Sequence, residues 1–96
     1  MIVYGYAKGY RTLNDGTCEV KVRIPNVHGP MSLSEYKGKK VTNYTLDKDL
    51  PYYRSILLPY NPNEGDVVML MSVNDSMNEL IVIGLTGGSY LNNKGV

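Results

Sequence analysis

Residues 18–24 alternate without interruption, with Cys18, Val20, Val22 and Ile24 on one side of an extended chain and Glu19, Lys21 and Arg23 on the other. Successive side chains of a strand point to opposite faces, so the pattern predicts a half-buried strand with the first set inward and the charged set outward. Pro25 removes a ladder donor and ends it. Just upstream, Asn14-Asp15-Gly16 signals a hairpin, because Asp and Gly tolerate the positive φ of a tight reversal. The segment before that turn, residues 2–11, is rich in β-branched and aromatic residues. Its glycines, Gly5 and Gly9, predict a bulge or sharp bend of the kind that curls a sheet into a barrel.

A second β-rich block follows a polar middle. Residues 52–58 read as a strand between Pro51 and Pro59, and Asn61-Pro62-Asn63-Glu64-Gly65-Asp66 as a turn. Residues 67–73 form a nearly continuous apolar run, as expected where a barrel core covers one face and another surface covers the other. A hairpin loop at 74–78 leads into a last strand at 79–85. The stretch 26–50 is the least ordered. It opens with the turn cluster Asn26–Pro30, and residues 31–36 are expected to start a short helix capped by Ser34, which Lys37-Gly38-Lys39-Lys40 breaks. A connection this long in a small domain is either functional or ordered by a partner. With 96 residues there is room for one domain. Five strands, no long helix and a long link between the second and third predict an all-β, five-stranded Greek-key barrel of the OB type over residues 1–86. Residues 87–96 are expected to be a flexible tail. The rival, an SH3-like barrel, has shorter links.

Charge and residue chemistry narrow the function. Ten Lys and Arg oppose nine Asp and Glu, so the chain lacks the basic excess that a phosphate backbone demands. One cysteine excludes an internal disulfide and fits a reducing place of synthesis. No apolar run reaches the ~20 residues of a membrane span, and the first residues lack the basic start of a signal peptide. Cys18 is read as a small inward hydrophobe and His28 as a surface residue of a turn, so no Cys–His couple is expected. Two such residues are also too few for a zinc site. The pairs Asp47/Asp49 and Glu64/Asp66 fall in polar turns rather than in a shared cleft. Gly84–Gly88 has no following Lys-Ser/Thr to cradle a phosphate. Neither an enzyme nor a cofactor-binding protein is expected. Aromatic content consists of nine Tyr with no Trp or Phe, which suits half-wet interfaces. The alternative reading is a module that binds single-stranded nucleic acid. It would use Lys37, Lys39 and Lys40 with Tyr36 and Tyr44 in the loop, and Tyr52, Tyr53 and Arg54 on the third strand. The near-neutral charge balance, with Glu35, Asp47 and Asp49 among those lysines, argues against it.

Four stretches taken together resemble a known family. They are Val20-Lys21-Val22-Arg23-Ile24-Pro25 with Val27-His28-Gly29, Leu50-Pro51-Tyr52, Pro62-Asn63-Glu64-Gly65-Asp66-Val67-Val68, and Leu80-Ile81-Val82-Ile83-Gly84. In this order they resemble the N-terminal OB domain of contractile-tail central spikes, found in phages and in type VI secretion systems, over roughly residues 2–85. The resemblance implies a structural baseplate protein of the virion, a trimeric adaptor or plug joining the tail hub to the spike. With the chain ending at Val96, no lysozyme or needle domain is expected to follow. The resemblance also implies that Tyr52, where the family often has Trp, caps the barrel end. Tyr36, Tyr44, Tyr52 and Tyr53 are the expected interface anchors, since exposed aromatics dominate binding energy.

Overall fold

The computed structural model describes residues 1–30, 44–74 and 79–89. Five strands, β1 Ile2–Thr12, β2 Cys18–Arg23, β3 Tyr52–Ser55, β4 Asp66–Ser72 and β5 Leu80–Ser89, close into a barrel in the order β1-β2-β3-β5-β4. Neighbours are antiparallel except β3 and β5, which run parallel. This is the expected all-β architecture, a closed barrel of the OB type. The connection from β2 to β3 carries a single helical turn, α1 Pro25–His28, and a 3₁₀ turn at Asp47–Asp49. The expected helix at 31–36 and the tail beyond Ser89 lie outside the described residues. Strand β5 itself continues to Ser89, which sits opposite Asp66.

The inward set of the alternating segment is the core. Cys18, Val20, Val22 and Ile24 are buried together with Ala7, Val68, Leu70, Leu80 and Val82. Register explains how they meet: Val22 lies opposite Ala7, Leu70 opposite both Val3 and Val82, and Val20 opposite both Tyr10 and Tyr53. The barrel interior is therefore filled by apolar side chains.

Turn chemistry sets the corners. Gly16 has φ 86°, and the Asp15 carboxylate accepts hydrogen bonds from the Thr17 amide (3.0 Å) and hydroxyl (2.6 Å), so the hairpin forms as its residues demand. Gly65, at φ 91°, reverses the chain into β4 while its amide donates to the Ala7 carbonyl at 2.8 Å. The anticipated bulge falls between Ala7 and Gly9, where the β1–β2 register slips and leaves Lys8 without a partner on β2.

Two expectations need correction. Arg23 keeps its outward phase but has no exposed surface at all, and His28, expected on the surface, is 6% exposed. The cause is common to both. The two ends of the β2–β3 connection fold back over the outer face of β2, so a position that would be wet on a bare barrel is covered here.

Gly5 is the tightest point of the barrel. A Cβ there would overlap Val22 Cγ1 and lie 2.9 Å from the Arg23 carbonyl, whereas at Gly84 it would meet nothing within 4 Å. Gly5→Ala is expected to cost about 1–3 kcal/mol in urea unfolding. Gly84→Ala should leave the midpoint unchanged or raise it slightly, by about 0.5 kcal/mol.

Candidate partner interface

The outer wall of the barrel divides into a charged half and an apolar half. One row of paired residues runs around it: Arg11, Glu19 and Arg54 on β1, β2 and β3, then Ile81, Met71 and Ile2 on β5, β4 and back on β1. Half the row is ionic and half is aliphatic. Ile2 and Met71 are 54% and 44% exposed, and in the neighbouring row Tyr4, opposite Met69, is 57% exposed. The inner face of β4 is sealed by Val68, Leu70 and Ser72, so the apolar character of Met69 and Met71 has no role in the core. Beside this wall Ile2, Tyr4, Tyr6 and Val67 meet Ile24, Pro25 and Asn26 in a groove of about 410 Å³. The sequence signal for this surface was present: a strand apolar at both phases marks its outer residues.

The charged half holds Tyr52. It pairs with Lys21 on the outer face, with Arg11 Cζ 3.8 Å from its ring centroid and Lys21 Nζ 5.7 Å from it. Arg11 is also held by Glu19, Nη2 to Oε1 at 2.6 Å. Such cation–ring contacts contribute about 0.5–1 kcal/mol where exposed. Tyr52 is thus on the wall and does not cap the barrel. The next residue, Tyr53, takes the inward phase opposite Val20 and packs against the core, and burial raises its phenol pKa. The capping role expected of Tyr52 is offset by one residue because strand phase, not side-chain size, decides which aromatic enters. Tyr44 stacks on Arg23 with the guanidinium carbon 4.4 Å from the ring centroid, and Tyr36 lies outside the described residues. The three described anchors therefore do not form one patch: Tyr52 faces out, Tyr53 faces in, and Tyr44 belongs to the root of the connection.

That root is built around Arg23. Its Nη1 donates to the His28 carbonyl at 2.7 Å, and its Nη2 donates to the Thr45 carbonyl and to Asp47 Oδ1, the latter at 2.8 Å. One side chain thereby holds both ends of a connection whose middle lies between residues 31 and 43. Asp47 is shared, since its Oδ2 is 3.2 Å from Lys8 Nζ, which also pairs with Glu64 Oε1 at 2.7 Å. The bulge at Lys8 is what turns that amine toward both loops. Burial works against the Lys8 charge, yet Glu64 and Asp47 carry its pKa above the ordinary value. Burial likewise raises the Asp47 carboxyl, but hydrogen bonds from Arg23 and Lys8 bring it below 3.8.

The Cys18 thiol accepts a hydrogen bond from the Tyr10 hydroxyl at 3.1 Å, and His28 Nδ1 accepts one from the Ile24 amide at 2.9 Å, so each is engaged separately. Among the described residues no three His, Cys, Asp or Glu side chains converge as a metal site, and no helix is long and apolar enough to cross a membrane. Comparison with protein-family models, curated proteins and solved structures found no match to this chain.

Arg23→Met would remove the bonds to the His28 carbonyl, the Thr45 carbonyl and Asp47 together, with an expected loss on the order of 3 kcal/mol in thermal or urea unfolding. Arg23→Lys should recover little, because one ammonium cannot span the same three acceptors in a plane. Asp47 adds an acid limb. Its native pKa is depressed, so its contribution is complete above 3.8 and is lost as pH falls through the lower native value. Asp47→Asn should flatten that part of the pH–stability curve.

Proposed function

We propose that this chain is a structural OB-barrel adaptor of a contractile tail or related injection machine, a trimeric plug that seats between the tail hub and the central spike in the baseplate of the virion. The observation that carries the reading is the apolar outer wall, Ile2, Tyr4, Met69, Met71 and Ile81, on a barrel whose core is already complete without it. Exposed and half-buried apolar side chains gathered on two neighbouring rows of an outer wall are the mark of a surface that another chain covers. Multiple identical copies around an axis would cover it in a symmetric way. The resemblance to the spike OB domain supports the same reading, because its stretches land at structurally demanding places. The alternating stretch is β2 with Arg23 at its end, the Pro-Asn-Glu-Gly-Asp turn is the reversal at Gly65, and Leu80–Gly84 closes the barrel as β5. In this role the protein performs no chemistry. Its work is shape, and a packed barrel interior serves that purpose.

A second reading has one observation in its favour. Arg11 of β1 and Lys21 of β2 lie over the Tyr52 ring of β3, an arrangement of cations and a ring that a single-stranded nucleic acid could follow. Against it, Arg11 already covers one face of Tyr52 at 3.8 Å and Glu19 neutralises Arg11, so a stacked base would have to displace both.

Light scattering across a dilution series separates the two. The adaptor predicts a trimer, reduced to monomer by Met71→Glu, with no oligonucleotide binding. The alternative predicts a monomer with salt-sensitive affinity for single strands, weakened by Tyr52→Ala. A monomer with no such affinity, which also fails to assemble with a hub protein, would remove both.

A further inference from the structure

His28 does more than fill space beneath the β2–β3 connection. Its Nδ1 accepts the Ile24 amide proton at 2.9 Å, which requires a neutral imidazole with its proton on Nε2. Ile24 is the residue before α1, and the turn has no side-chain cap from its N-terminal residue, so the bond reaching back from His28 closes the turn. The backbone of His28 is also the receiving point for the far end of the connection. Its carbonyl accepts Arg23 Nη1 at 2.7 Å and the Thr45 amide at 2.9 Å. A single helical turn cannot hold itself in water, so what keeps Pro25–His28 in place is this set of bonds.

We propose that His28 is an acid-sensitive latch, whose protonation releases Thr45 and Arg23 from the α1 turn and so frees the root of the connection while the barrel stays closed. A protonated Nδ1 meets the Ile24 N–H donor to donor, so the bond is replaced by repulsion. The new charge also lies near the Arg23 guanidinium, which comes from β2. Around that pair, Asp47 of the 3₁₀ turn bonds Arg23, and Lys8 of β1 and Glu64 before β4 complete the chain of charges; among the described residues the carboxylates bond Arg23 and Lys8 rather than His28. Burial and the Arg23 charge hold the His28 pKa below 6.5 in the folded protein. The sign follows: the unfolded or opened segment binds more protons than the latched one as pH drops below 6.5, so opening is favoured by acid. Global unfolding releases His28 as well and carries the same acid dependence, so what distinguishes the latch is that its opening leaves the barrel closed and therefore takes less free energy than unfolding.

The test uses the full chain and amide-proton exchange by NMR, from about pH 7.5 down to about pH 4.5, a range in which ordinary histidines titrate and a carboxylate held low does not. Rates are corrected for the intrinsic pH dependence of exchange. Protection of the Ile24 and Thr45 amides should fall by up to about tenfold per pH unit below the ordinary histidine value, and should lie below that of the Leu70 amide in the barrel core at every pH. The C–H resonances of the protein's one histidine report its titration directly. In His28→Asn the amide oxygen stands near the place of Nδ1 and accepts the same bond without titrating, so protection at Ile24 and Thr45 should become independent of pH. Should that variant not fold, the wild-type resonances and exchange rates decide alone. An imidazole that titrates at or above 6.5 overturns the latch. So does protection at Thr45 that does not vary with pH, or protection at Ile24 and Thr45 as high as at Leu70, which would mean that the segment opens only when the barrel unfolds.

Discussion

A guanidinium with no exposed surface is costly unless its charge finds partners, and in this small barrel the two terminal nitrogens of Arg23 find them while its Nε has none among the described residues. Its two terminal nitrogens reach a carbonyl before the long connection, a carbonyl after it and the Asp47 carboxylate, while Tyr44 covers its plane. The planar fork of Arg can bind divergent acceptors in this way, where a lysine could not. Because both arms of the connection are tied to one side chain on β2, a long insertion leaves the barrel beneath it undisturbed. Lys8 repeats the device one layer out, joining Asp47 to Glu64 and so tying the β2–β3 and β3–β4 connections to β1.

With the connection pinned to one flank, the rest of the outer wall is left to serve other ends. Around a single row the barrel changes from Arg11, Glu19 and Arg54 to Ile81, Met71 and Ile2. Within the ionic half Arg11 pairs with Glu19, and Arg11 and Lys21 lie over the Tyr52 ring. On the aliphatic half Ile2, Tyr4 and Met71 stay exposed. A domain of this size buries a modest core, so an apolar wall covered by further copies would add stability that the fold alone supplies sparingly. The proposed adaptor role and the energetics of a small barrel thus point to the same surface.

Much of the fold was legible from local pattern. Strand phase placed Cys18, Val20, Val22 and Ile24 inside, Asp15-Gly16 and Gly65 made the reversals their backbone freedom allows, and the glycines of the first segment marked the bulge beside Lys8. The candidate surface was legible only in part. An apolar outer phase in residues 67–73 pointed to an outer contact, but the tyrosines chosen as anchors were scattered by the same alternation that had worked for the core: Tyr53 turned in, Tyr52 turned out and Tyr44 stacked on Arg23.

The chain's own chemistry determined that it would be a β-barrel and which side chains would line it, because alternation and turn residues act over a few neighbouring positions. Tertiary structure alone decided the fates of Arg23 and His28. Both stand in a strand phase or a turn that reads as solvent-facing, and both are buried because segments about twenty residues away in sequence, carrying Tyr44, Thr45 and Asp47, return to cover them. No local pattern encodes such a return. It follows from the need of a desolvated charge to find its partners wherever the closed barrel brings them.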